Sequence, residues 1–177
     1  MPLPPVGPVP AGADPGEYDR LRRRLLWRMP SGLYLLGSAA GGRRNLMTHT
    51  WAMQVSVQPK LLAVAVRQDA LTCELVRQGR AFSLCLLKRE DRAIVRAFTK
   101  PVVEGPGPGM LGGVAVRTGA TGAPVLSDAA AWLECEVRQE VVLGDHTLFV
   151  GEVVDCGASD EGAPLLRTED TRLNYGG

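Results

Sequence analysis

The feature that most constrains this chain is the spacing of its apolar runs. Between Leu33 and Val154 it breaks into short stretches rich in Leu, Val, Ala and Phe, cut by glycine and polar turns. Leu33 to Ser38, Leu46 to Val57, Leu61 to Val66, Ala81 to Leu87, Trp132 to Val142 and Thr147 to Val154 read as strands. Gly41-Gly42-Arg43-Arg44-Asn45 separates the first two, its glycines suited to the positive φ of a tight turn. Gly144-Asp145 joins the last two. The run Leu61 to Val66 is apolar throughout, which fits a strand buried on both sides.

Helical spacing is confined to three segments. Glu17 to Met29 sets Leu21, Leu25, Leu26 and Met29 on one face, and Pro30 is expected to end it. Leu71 to Arg77 follows Asp69, a natural N-cap, and Arg89 to Phe98 carries Ile94, Val95 and Phe98. So many strands with such short helices exclude a doubly wound parallel sheet and favour a mainly β fold, a small antiparallel barrel.

At 177 residues the chain is one domain's worth. Residues 1–16 are dense in proline and glycine and read as a flexible extension, leaving 17–177 as a single domain. Basic and acidic side chains nearly cancel to a formal +1, so no general field marks a binder of nucleic acid or anionic membrane. The arginine-rich run from Arg20 to Arg28 is then read as a solvated helix face.

Cys73, Cys85, Cys135 and Cys156 form no C-x-x-C pair, which argues against zinc and against a redox thiol pair; each is expected to pack as a small buried hydrophobe. The two histidines have no carboxylates at ligand spacing, so no metal site is expected. No apolar run is long enough to span a bilayer, and no secretory pattern opens the chain, so the expected location is cytoplasmic. The Gly-Pro loop between Glu104 and Gly113 lacks a leading strand and is no dinucleotide fingerprint.

Three ordered stretches carry a resemblance. Asn45-Leu46-Met47-Thr48-His49-Thr50-Trp51 runs on to Val55-Ser56-Val57-Gln58-Pro59. Asp69-Ala70-Leu71-Thr72-Cys73-Glu74-Leu75 follows. Gly122-Ala123-Pro124-Val125-Leu126 and Trp132-Leu133-Glu134-Cys135 lead to Gly144-Asp145-His146-Thr147-Leu148-Phe149-Val150-Gly151-Glu152-Val153. Together they resemble the flavin reductase-like proteins, which are FMN-binding split barrels of Greek-key type.

That resemblance implies where the cofactor lies. Asn45, Met47, Thr48, His49, Thr50, Trp51, Gln54, Val55 and Ser56 match the segment that reads the isoalloxazine edge, a task backbone amides and hydroxyls perform without charged side chains. Asp69, Ala70 and Thr72 match the start of the phosphate-binding helix, where unpaired N–H groups attract an anion, with Arg67 or Lys100 adding charge. Ala70 stands where many relatives carry serine, Asp69 is an awkward neighbour for a phosphate, and His49 replaces a small residue. His146 matches the histidine beside the flavin face and is expected to be catalytic. Glu169 to Gly177 departs from the tyrosine-rich ending of many reductases.

The implied activity is hydride transfer from NADH or NADPH to FMN, with electrons passed to free flavin, a monooxygenase or another acceptor. The alternative is a flavoredoxin-like electron carrier without NAD(P)H oxidation of its own. An interaction module that has lost its cofactor stands further off. The resemblance also implies a homodimer with the cleft at its interface.

Overall fold

The computed structural model describes residues 7–102 and 109–173. The chain opens on helix α1 (Pro15–Leu26), where the Asp14 carboxylate accepts from the Glu17 N–H at 2.8 Å and proline occupies the first turn. It therefore begins two residues before Glu17 and ends well short of Pro30. None of its residues is buried.

Strands β1 (Tyr34–Ala40) and β2 (Arg43–His49) form a hairpin whose turn is Gly41-Gly42 alone, with φ of 56° and 77°, a geometry open to glycine at both positions. Expected as one strand, 46–57 is two: β2 stops at His49 and β3 (Ala52–Val57) starts after Thr50-Trp51. Strand β4 (Lys60–Arg67) buries Leu62, Ala63, Val64 and Val66.

Helix α2 (Leu71–Gly79) is capped by Ala70, with no side-chain cap. Asp69 is not the cap; its carboxylate pairs with the Arg67 guanidinium, 2.9 Å from Nε. After β5 (Ala81–Leu86), the helix expected from Arg89 to Phe98 is a 3-10 turn, Arg89–Ala93, running into the short α3 (Ile94–Ala97).

Three short strands were not foreseen: β6 (Met110–Leu111), β7 (Val114–Thr118) and β8 (Pro124–Leu126), which form a small antiparallel sheet. The beginning of the Gly-Pro loop lies outside the described residues. Strands β9 (Ala131–Leu143) and β10 (His146–Ala158) are joined across Gly144-Asp145 as expected.

The main sheet runs β2-β1-β5-β9-β10-β4-β3, all antiparallel. Laid flat, seven strands would place its two edges about 29 Å apart. Those edges are β2 and β3, and the Thr50-Trp51 linker reaches only about 11 Å. The sheet must curl until its edges meet at that corner, which makes it a barrel with a seam. The segment after α3 covers the β2 edge, Thr48 N–H donating to Phe98 O at 2.9 Å.

Adjacent residues on β1 and β5 feed different cores, as a two-residue period requires. Leu35 and Cys85 join Phe98, Val116 and Val125 beneath the small sheet. Leu36 and Leu84 join Val64, Phe82, Phe149 and α2's Cys73 and Val76. Helix α2 is thus anchored by its apolar face, and its N-terminus is held beside the seam.

Candidate functional site

A cavity of about 430 Å³ opens along the seam, between the end of β2, the end of β4 and the start of α2. Asn45, Met47, Thr48, His49 and Thr50 line it from β2 and the linker. Asp69, Ala70 and Thr72 line it from the helix start, with Arg67 and Lys100.

The polar groups here are held firmly. Asn45, buried, donates through Nδ2 to the Thr72 hydroxyl at 2.9 Å and accepts at Oδ1 from the Val102 N–H at 3.4 Å. One amide so ties β2, α2 and the segment after α3 together. Since the Thr72 oxygen accepts from Asn45, its own proton remains to be donated elsewhere. The Thr48 hydroxyl donates to Val95 O.

His49 is buried, with Nε2 3.0 Å from Trp51 O. A carbonyl only accepts, so Nε2 carries the proton. Burial pushes the imidazole down to about 4, and the ring is neutral at neutral pH. The hydroxyl of the next wall residue, Thr50, is buried without a partner among the described residues.

The first turn of α2 has no side-chain cap, so the Leu71 and Thr72 amides present the positive end of the helix dipole to the cavity. The awkward charge of Asp69 is matched by Arg67.

Five of the expected site residues, Trp51, Gln54, Val55, Ser56 and His146, lie apart from this cavity. Val55 is the bulge residue between Gln54 and Ser56, where the β3–β4 register slips, and Gln54 turns its amide to Ser56 O at 3.0 Å. Trp51 lines a second cavity of about 680 Å³ that adjoins the first at Thr50 and Ala65 and is walled by Trp27, Met29, Tyr34 and Leu148. His146 is buried outside both, its ring tilted 41° against that of Trp51 with centroids 4.7 Å apart, its Nδ1 2.7 Å from the Asp145 carboxylate. That hydrogen bond holds the Asp145 carboxyl below its usual range. Opposite His146 in the sheet is Arg67.

Leu33, Ala65, Thr99, Pro101 and Leu173 also line the seam cavity and went unnoticed in the sequence. Thr99 and Pro101 flank Lys100, the one cue available there. Among the described residues no cluster of His, Cys, Asp and Glu is placed to hold a metal ion.

The family model described as "Flavin reductase like domain" matches residues 26–174. The chain belongs to the flavin reductase-like family. Among its relatives, the NADH-dependent flavin reductase StyB of Pseudomonas fluorescens is 33% identical over 124 residues, 70% of this chain and 68% of that protein. Diflavin flavoprotein A 1 of Synechocystis sp. is 30% identical over 140 residues, 78% of this chain. This flavin reductase-like chain spans only 24% of the diflavin protein's length. Of solved structures, the styrene monooxygenase flavin reductase of Pseudomonas putida S12 superposes with a TM-score of 0.67 at 28% identity, covering 79% of this chain and 88% of that one.

Proposed function

We propose that this flavin reductase-like chain is an NAD(P)H:flavin oxidoreductase that holds FMN in the seam cavity. The observation that carries the assignment is the pairing, in one cavity of cofactor size, of a helix N-terminus without a side-chain cap and a buried Thr50 hydroxyl that has no partner among the described residues. An anion suits the first and a polar ring edge suits the second, which is the donor set a phosphorylated, flat heterocycle requires.

In this reading the Leu71 and Thr72 amides, the Thr72 hydroxyl and Lys100 bind the phosphate, while Arg67 neutralises Asp69. The backbone from Thr48 to Thr50 and the Thr50 hydroxyl orient the ring. Neutral His49 keeps Trp51 in place through its carbonyl, and Trp51 in turn supports His146, the residue assigned to the nicotinamide side. A bound flavin would supply the redox chemistry between NADH or NADPH and the acceptor, which is free flavin, a monooxygenase or another protein. The chain's contribution is positioning, since hydride transfer needs the reacting atoms within about 3 to 3.5 Å.

The same reading makes the protein a homodimer. Met53 and Val57 on edge strand β3 and Val142 and Leu143 at the end of β9 are each more than half exposed, an apolar surface that a second copy would cover.

Anaerobic mixing of the FMN-loaded protein with NADH and with NADPH is expected to bleach the visible flavin band with at least one of them. Yellow protein that bleaches with neither overturns the reductase and selects the electron carrier. Parallel titrations with FMN and FAD, followed by flavin fluorescence, are expected to favour FMN.

A further inference from the structure

Among the described residues that line the seam cavity, Arg67, Asp69 and Lys100 carry charge, and the first two are already joined to each other. Strand β4 ends at Arg67, and the chain turns at once toward α2, the Ala70 N–H donating back to Arg67 O at 3.1 Å. The turn brings Asp69 beside the residue two before it. Arg67 Nε donates to Asp69 Oδ1 at 2.9 Å and Nη2 donates to Oδ2, so the guanidinium fork closes on the carboxylate through two bonds.

This contact does little for the fold. Both side chains are more than half exposed, and exposed ion pairs add little to stability. Asp69 does not cap α2 either. What the pair controls is the anion that the guanidinium serves, because the planar fork that grips a carboxylate grips a phosphate equally well. The Leu71 and Thr72 residues face the same cavity, and N–H bonds back to Ala70 O begin only at Cys73. Other acids nearby have partners of their own. Glu74 is held by Arg43 at 2.8 Å, and Asp145, the other acid near Arg67, is held by His146 at 2.7 Å.

Resting on the FMN reading of the seam, we propose that Asp69 is an affinity-setting residue, which holds the Arg67 fork away from the flavin phosphate. The phosphate is then bound by the α2 amides, the Thr72 hydroxyl and Lys100 without help from a guanidinium. The carboxylate acts in two ways: it occupies the fork, and it places a negative charge beside the positive end of the helix. A flavin held like this leaves more readily, since affinity differences at one site lie mostly in the dissociation rate.

The test is fluorescence titration with FMN and with riboflavin, which lacks the phosphate, joined to stopped-flow measurement of FMN release. Three full-length proteins are compared: the wild type, Asp69→Asn, and the double variant Asp69→Asn, Arg67→Gln. The wild type is expected to prefer FMN to riboflavin. Asp69→Asn keeps the shape of the side chain but frees the fork, and is expected to bind FMN about tenfold more tightly and release it about tenfold more slowly, with riboflavin unchanged. The double variant is expected to lose that gain. If Asp69→Asn binds FMN no more tightly, or if the gain persists without Arg67, the role of Asp69 is overturned while FMN stays in the seam. A wild type that binds FMN no better than riboflavin removes the phosphate from the start of α2, and overturns that placement and the role of Asp69 together.

Discussion

His49 and His146, far apart in sequence, meet at Trp51, the first through its carbonyl at 3.0 Å and the second through its ring at 4.7 Å. His49, held near pKa 4 by burial, binds its proton far more weakly folded than unfolded, where its pKa is 6.5. Between those values the unfolded state takes up more protons, so stability is full above pH 6.5 and falls as pH drops toward 4. From pH 7 to pH 5 the loss from this one group is about 2 kcal/mol. Urea midpoints at the two pH values measure it. His49→Gln, which keeps an N–H near Trp51 O but cannot titrate, is expected to lose correspondingly less. Equal losses in both proteins would remove His49 from the account.

In the proposed FMN site, Thr72→Val distinguishes phosphate binding from ring binding. Its hydroxyl hydrogen is the donor left over once its oxygen has accepted from Asn45. Thr72→Val is expected to weaken FMN roughly tenfold, about 1.4 kcal/mol, and to leave riboflavin, which lacks the phosphate, nearly unchanged. Fluorescence titration with both ligands measures this. Equal weakening of the two would move the phosphate elsewhere.

Local chemistry was legible where nothing distant competed with it. The Gly41-Gly42 hairpin and the Gly144-Asp145 turn are set by residues within the turns themselves. The break at Thr50-Trp51 has no glycine or proline to announce it, because barrel closure imposes it. Asp69 reads as a cap only until Arg67 takes its carboxylate. Strands β6 to β8 are too brief for their alternation to stand out among glycines and prolines. The motif from Asn45 to Thr50 and the start of α2 delivered much of the cavity wall, whereas Leu173 and Leu33 arrive there by tertiary packing alone.

Cysteine reactivity divides the four thiols. Burial pushes Cys85 up to about 11 and Cys135 up to about 12, and Cys73 is equally enclosed. Cys156, expected as a fourth buried hydrophobe, is exposed on β10, past the stretch of that strand that pairs with β4. A thiol-reactive chromogenic disulfide at pH 8 is expected to titrate one cysteine in the native protein and four after denaturation, since only the thiolate reacts and only Cys156 is reached by solvent. Rapid reaction of two or more native thiols would contradict this burial.

The exposed edge at β3 makes the assembly testable without touching the cavity. Val57 is 74% exposed and Met53 64% exposed, so neither side chain is packed into the core of its own chain, and neither lines the seam cavity, although Met53 lines the second cavity beside it. Charges placed there cost little in an isolated chain but must be desolvated if a second copy covers them. The double variant Met53→Asp, Val57→Lys is therefore expected to keep its thermal unfolding profile at low concentration while sedimenting as a monomer, against a dimer for the wild type. The opposite signs prevent a simple charge repulsion from explaining the result. A variant that sediments as the wild type does would place the interface on another face, and a wild type already monomeric with FMN bound would abolish the dimer altogether.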